Sequence, residues 1–257
     1  MPGHRGPHPE DARLFAPTRL PVLRQAAADL AWLLTRGYGA EAALRLVGDH
    51  FQLTIRQRLA VGRSTCADQT AATRRQRCLA LDACRGRGLA IDGYNILITL
   101  ESALAGGYLF RGRDGAIRDL ASLHGSWRRV AETARAVSLV ADALAAIAGD
   151  DRASSASAPP PAHAGSGLGP VIWYLDAPVS NSGRLAALLR DTAAARRLDW
   201  TVELVMNTDR AVLATGLPVA TSDSWILDHA PAWVNLVAAI LPALDPSPPL
   251  IDLAIDG

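Results

Sequence analysis

Four aspartates each stand just beyond a short apolar run. Asp92 follows Leu89-Ala90-Ile91, Asp176 follows Val171 to Leu175, Asp209 lies beyond Val202 to Met206, and Asp223 follows Pro218-Val219-Ala220 by way of Thr221-Ser222. Short apolar runs read as buried strands. In an open parallel α/β sheet the carboxyl ends of neighbouring strands meet at one edge, where such folds bind ligands. Carboxylates gathered there repel one another and raise each other's pKa. A hard divalent cation such as Mg²⁺ relieves that repulsion through oxygen ligands, and Mg²⁺ held by carboxylates assists phosphodiester cleavage. Each aspartate alone is equally well a helix N-cap. The four together favour a metal site.

The neighbouring residues extend the pattern. Ile91-Asp92-Gly93-Tyr94-Asn95 is the sharpest segment: Gly93 lets the chain turn tightly, and Asn95, one helical step on, can orient Asp92 or a bound water. In the segment from Leu175 to Gly183, Ser180 and Ser182 can cap the next helix, whose first N–H groups attract phosphate. Neither serine reads as a nucleophile, for want of a GxSxG elbow and a histidine partner. Ser222 stands beside Asp223, and Asp228 is a supporting acid or an exposed one. Glu101 falls too far along the helix after Asp92 to lie level with it. Gly106 to Asp119 reads as a short hairpin or loop turning at Asp114-Gly115, with either solvated charges or Arg118 laid over the active edge toward phosphate. Trp127, Trp173, Trp200, Trp225 and Trp233 read as core rather than as platforms for bases.

The elements that must position these residues fall into two groups. Residues 18–85 read as a small all-α domain, with helices over 20–35, 40–47, 55–62 and 68–81, the third capped by Thr54. The stretch Leu44 to Arg63 has a helix-turn-helix outline, with Arg56, Arg58 and Arg63 on its second helix as candidate substrate contacts; a plain helical bundle is the simpler reading. Before it, residues 1–17 read as a flexible tail. Cys84-Arg85-Gly86-Arg87-Gly88 is a glycine-broken basic hinge. From 88 to 257 strands alternate with helices, which argues for a parallel sheet covered on both faces. The expected strands are 88–92, 171–175, 201–206 and 219–220, and the expected helices include 95–104, 127–148, 182–197 and 231–241. Residues 150–169 are rich in Ser, Ala, Pro and Gly and read as a flexible insertion.

Composition narrows the chemistry. Hydrophobic residues make up 49% of 257, enough for a substantial core. All 26 basic residues are arginine, so a P-loop lysine and a lysine Schiff base are excluded. Net charge is +1, divided as +7 over residues 1–87 and −6 over 88–257, which suits a polyanion binder joined to a carboxylate-bearing catalyst. Three cysteines without CxxC spacing argue against a zinc ribbon and fit a reducing cytoplasm. No apolar run approaches a membrane span.

The runs IDGYNILITLESAL, LDAPVSNSG and ATSDSWILD resemble the PIN/NYN-like nuclease superfamily. More closely, with GYGAEAALRLVGDHFQLTIRQRLAVGR in front, the chain resembles an uncharacterised prokaryotic family that joins a small helical domain of unknown function to a PIN-like domain. The resemblance implies a Rossmann-like α/β/α parallel sheet and Mg²⁺- or Mn²⁺-dependent phosphodiester hydrolysis, usually of RNA. It matches Asp92 to the first-strand acid, Asp176 to the acid after the next core strand, Asp209 to the acid opening a later helix, and Asp223 to the acid of a T-S-D element. The expected function is therefore a cytoplasmic metal-dependent ribonuclease. The alternatives are a non-catalytic nucleic-acid-binding or regulatory protein and, for want of a phosphoryl-accepting motif, more remotely a small-molecule phosphohydrolase.

Overall fold

A computed structural model describes residues 4–121, 127–149 and 168–254. The front of the chain is all-α: α1 (Asp11–Leu14), α2 (Leu20–Thr35), α3 (Ala40–His50), α4 (Ile55–Ser64) and α5 (Asp68–Arg77). Spacing dictates this arrangement. Leu23, Ala26, Ala27 and Leu30 form the buried stripe of α2, and Thr54 with Gln57 closes a reciprocal capping box on α4.

The sheet strands are β1 (Cys78–Leu79), β2 (Leu89–Asp92), β5 (Val171–Asp176), β6 (Trp200–Val205), β7 (Val219–Ala220) and β8 (Trp233–Val234). They pair in parallel in the order β1-β8-β7-β2-β5-β6. The helices of this region are α6 (Gly93–Leu104), α7 (Thr133–Gly149), α8 (Ser182–Arg196), α9 (Thr208–Ala214), α10 (Ser224–His229) and α11 (Leu236–Ile240). Alternation along the strands separates the faces. Leu89, Ile91, Trp173 and Leu175 share a core with α6, α7, α8 and α11, whereas Ala90 and Val219 pack with Val212 of α9 and Ile226 of α10. From β2 the chain moves outward to β5 and β6, then crosses back to β7. The order therefore reverses between β2 and β7.

Six parallel strands stand where four were expected. The two unforeseen ones have two residues each, too short to carry periodicity. The helix expected at 68–81 stops at Arg77, and Cys78-Leu79 joins the sheet edge. The helix expected at 231–241 is broken: Trp233-Val234 lies between β1 and β7, and α11 begins only after Asn235, which caps it by accepting from Ala238 N. The helix expected from Trp127 starts at Thr133.

A second sheet, β4-β3-β9, is built from β3 (Leu109–Arg111), β4 (Ile117–Arg118) and β9 (Leu250–Asp252). Its Phe110 and Ile251 are buried in one cluster with Leu23, Leu30, Ala60 and Val61 of the helical part. The boundary near residues 85–88 is thus a turn in the chain and not a division of the core. Nor are residues 4–17 a free tail. Leu14 and Phe15 are buried, the Phe15 ring meets Phe110 edge-on at 4.9 Å, and Arg5 pairs with the buried carboxylate of Glu101. Of the expected insertion, 150–167 lies outside the described residues; Leu168 bridges to Arg85. No helix among the described residues is long and apolar enough to cross a membrane.

Candidate active site

Asp92 ends the central strand and precedes α6, the position of an N-cap, with the Asn95 backbone amide near its carboxylate. Its Oδ2 accepts from Thr221 Oγ1 at 2.8 Å, across the β2–β7 junction. Asn95 Oδ1, one turn along α6, accepts from both Ser222 N (2.8 Å) and Ser222 Oγ (3.0 Å). The T-S-D loop is therefore held to the start of α6 by two side chains. Gly93 makes this approach possible for a reason other than the expected turn: a Cβ there would stand 2.5 Å from Leu175 Cδ2 and 3.0 Å from Tyr174 O, so only glycine lets α6 begin against β5.

At the switch point opens a cavity of about 360 Å³, lined by Asp92, Asp176, Asp209 and Asp223 with Tyr94, Asn95 and Ser222. All four expected carboxylates meet there. Asp176 Oδ1 accepts from Thr208 N at 3.2 Å, and Asp223 Oδ1 accepts from Trp225 N and Ile226 N at 2.8 and 3.1 Å. Burial first, then the charges of Asp223 and Asp176, push Asp92 up to about 7 against the Thr221 hydrogen bond. Burial and the same two charges also raise Asp209. Burial first, then the charge of Asp176, lifts the Tyr94 phenol to about 12 against the opposing effect of Ser182.

None of the four aspartates makes an ion pair among the described residues. A set of oxygen donors with unrelieved mutual repulsion fits a hard divalent cation. Among the described residues no three His, Cys, Asp or Glu side chains stand close enough to enclose a cation between them. A cation here would therefore rest on one or two carboxylates, with water or a phosphate oxygen completing the shell, as Mg²⁺ commonly does.

The same cavity is also lined by Arg63, Arg118 and a fifth acid, Asp119. Arg63 reaches in from α4, its Nη1 donating to Asp119 O (2.7 Å) and Ala121 O (3.1 Å). Asp119 is buried and accepts from Thr99 Oγ1 and Ala121 N, both at 2.6 Å. Arg118 lines the cavity as expected, but much of its fork is committed to Asp114 and to Ser222 O.

Several expected residues lie elsewhere. Arg56 pairs with the buried Asp11, and Arg58 with Asp49. Neither lines the carboxylate cavity, so of the three helix-turn-helix arginines only Arg63 reaches it. Ser180 is exposed and offers its carbonyl to Trp127 N, while Ser182 Oγ donates to Ala177 O. Asp228 anchors α10 to Arg74 of α5 at 2.8 Å. Glu101 points away, toward Arg5 and Thr133, in keeping with its position along α6. Trp127, Trp173 and Trp233 are core, but Trp225 is 45% exposed and stacks on His229 with centroids 4.3 Å apart. Sequence reading missed Tyr94 and Asp119 as cavity residues and Thr221 as the partner of Asp92, although Tyr94 and Thr221 adjoin the aspartate motifs. Asp114, expected as a charge on a surface turn, is only 2% exposed.

Fold and cavity define a doubly wound α/β protein with a carboxylate-lined crevice at its switch point and an all-α region in front. The chain belongs to the family described as "Domain of unknown function (DUF5616)", whose model matches residues 81–152 and 163–239 and so spans all four aspartates. Residues 22–77 match a second description, "Protein of unknown function (DUF434)", over the helical part. The chain is similar to an uncharacterized protein of Methanocaldococcus jannaschii, 29% identical over 218 residues that make up 84% of this chain and 95% of that one. No solved structure matches the chain.

Proposed function

We propose that this protein is a Mg²⁺- or Mn²⁺-dependent nuclease that hydrolyses phosphodiester bonds, with RNA as its first candidate substrate. The observation that supports this reading best is the convergence of Asp92, Asp176, Asp209 and Asp223 on one cavity, free of ion pairs among the described residues. One or two of Asp92, Asp176 and Asp223 would hold the cation directly, with the remaining carboxylates and Asp209 reaching it through water. When bound, it supplies Lewis-acid polarisation of a phosphate oxygen and acidifies a water.

The chain's own residues do the rest. Thr221 and Asn95 hold Asp92 and the Asp223 loop together, so that carboxylates from different strands line one cavity. Arg63 brings positive charge to the same cavity, where guanidinium N–H groups suit a phosphate. The choice of RNA rests on the resemblance to PIN/NYN-like nucleases.

The test is cleavage of a pool of single-stranded and structured RNA with Mn²⁺ or with EDTA, by wild type and by an Asp92→Asn, Asp223→Asn double variant. Both asparagines keep an acceptor for Thr221 and for the α10 amides, so the fold is expected to persist. Cutting should require Mn²⁺ and fall below detection in the variant, with its circular dichroism unchanged. Salt-sensitive RNA binding without metal-dependent cutting would replace this reading with that of a non-catalytic nucleic-acid-binding protein.

A further inference from the structure

The carbonyls on either side of Asp223 are both taken by arginines from distant parts of the chain. Arg118 Nε, on β4, donates to Ser222 O at 2.9 Å, and Arg74 Nη2, on α5, donates to Ser224 O at 3.0 Å. The two arginines meet on one carboxylate. Arg118 forks onto Asp114 through Nη1–Oδ1 at 2.9 Å and Nη2–Oδ2 at 2.7 Å, and Arg74 Nη1 reaches Asp114 Oδ2 at 2.8 Å. All three side chains are buried, at 2%, 4% and 6% exposure for Asp114, Arg74 and Arg118. Gly112 leaves room for them, since a Cβ there would collide with Arg118 Nη1 and lie 2.7 Å from Asp114 Oδ1.

Burying three charges costs solvation free energy that apolar packing of a hairpin on a helix would not. What the charged arrangement adds is direction, because a planar fork on a carboxylate fixes the guanidinium and every group it donates to. The groups so fixed flank Asp223. That residue uses Oδ1 to cap α10, while Oδ2 makes no hydrogen bond among the described residues, so its aim into the cavity follows the backbone on both sides.

We propose that Asp114, acting through Arg74 and Arg118, is a positioning residue for Asp223. The helical region thereby takes part in the site through Arg74. This inference rests on the reading of Asp223 as a cation ligand.

Arg74→Lys and Arg118→Lys test it, because lysine keeps a cation beside Asp114 but cannot fork onto it while reaching the carbonyl. Arg77→Lys serves as control, since Arg77 also ties α5 to α10, through the Asp228 and Ala230 carbonyls. Two quantities are read: hydrogen exchange at the Trp225 and Ile226 amides in EDTA, and Mn²⁺ affinity by titration. Each lysine variant should exchange those two amides roughly tenfold faster and bind Mn²⁺ roughly tenfold more weakly, the loss of one charge-assisted hydrogen bond, with exchange in α6 unchanged. The control should match wild type. If a lysine variant does not fold, Gly112→Ala, which crowds the fork alone, is read in the same way. Wild-type values of both quantities overturn the proposal, and so does faster exchange with unchanged Mn²⁺ affinity. A wild-type protein that binds no Mn²⁺ overturns the nuclease reading and the positioning role with it, whereas wild-type binding retained in both variants overturns only the latter.

Discussion

Asp92 and Asp114 are the same residue type, both buried, and the molecule drives their protons in opposite directions. Burial raises both. At Asp114 the Arg118 and Arg74 guanidiniums more than offset it and hold the acid at about 2. Asp92 makes no ion pair among the described residues and is buried near two carboxylates, so it stands at about 7. The consequence for stability follows from linkage. Between its ordinary value of 3.8 and about 7, Asp92 keeps a proton in the metal-free folded protein that the unfolded chain releases. Its contribution is full below 3.8 and is lost as pH rises through about 7. Metal-free protein should therefore melt at a lower temperature at pH 8 than at pH 6, and the difference should shrink in Asp92→Asn. Melts in EDTA across that range check this. Mn²⁺ affinity should rise over the same interval, because the proton must leave before the carboxylate can coordinate.

The start of α6 is the junction on which the cavity depends. Gly93 lies against β5 so closely that a methyl group meets Leu175 and the Tyr174 carbonyl. Gly93→Ala must push the helix off the sheet, and overpacking of this kind costs about 1–3 kcal/mol. The expected outcome is a lower melting temperature together with weaker Mn²⁺ binding, since Asp92 and Asn95 flank the displaced residue; denaturant titration and Mn²⁺ titration on one sample measure both. Glycine at this point was legible in the sequence, but its cause was not. A turn after a strand is a local property, whereas the approach of α6 to β5 needs a partner strand some eighty residues on. The same distinction separates β2, β5 and β6, whose apolar runs announce them, from β1 and β8. Those two-residue strands exist because Cys78-Leu79 and Trp233-Val234 find each other and β7.

The helical and α/β parts share a core. Phe110, Leu120, Ile251 and Leu253 are buried against α2 and α4 residues, β1 follows directly from α5, and Arg63 and Arg74 reach the cavity or its loop from the helical side. The α/β part cut free near residue 81 would expose that apolar face and lose both arginines. Residues 81–257 expressed alone should aggregate or be degraded by dilute protease, and co-expression with residues 1–80 should restore a soluble complex. A soluble, protease-resistant 81–257 fragment with wild-type Mn²⁺ affinity would show that the two parts are independent.

The four strand-end aspartates, the alternation of strand and helix and the all-α front were written in the order of residues along the chain. Hydrophobic periodicity and strand-end placement are local, and a parallel sheet brings its carboxyl ends to one edge whatever the details. The chain order could not reveal which charges would be buried together. Asp114-Gly115 reads as a solvated turn, and Arg74 as one of three arginines near the end of a polar helix. Asp114 and Arg118 are only four positions apart, but their meeting with Arg74, and the grip of both arginines on the carbonyls beside Asp223, joins residues 40 to 150 positions apart. Contacts at that separation leave no periodic trace. They arise only when helix, hairpin and loop are packed together and each buried charge must find a partner.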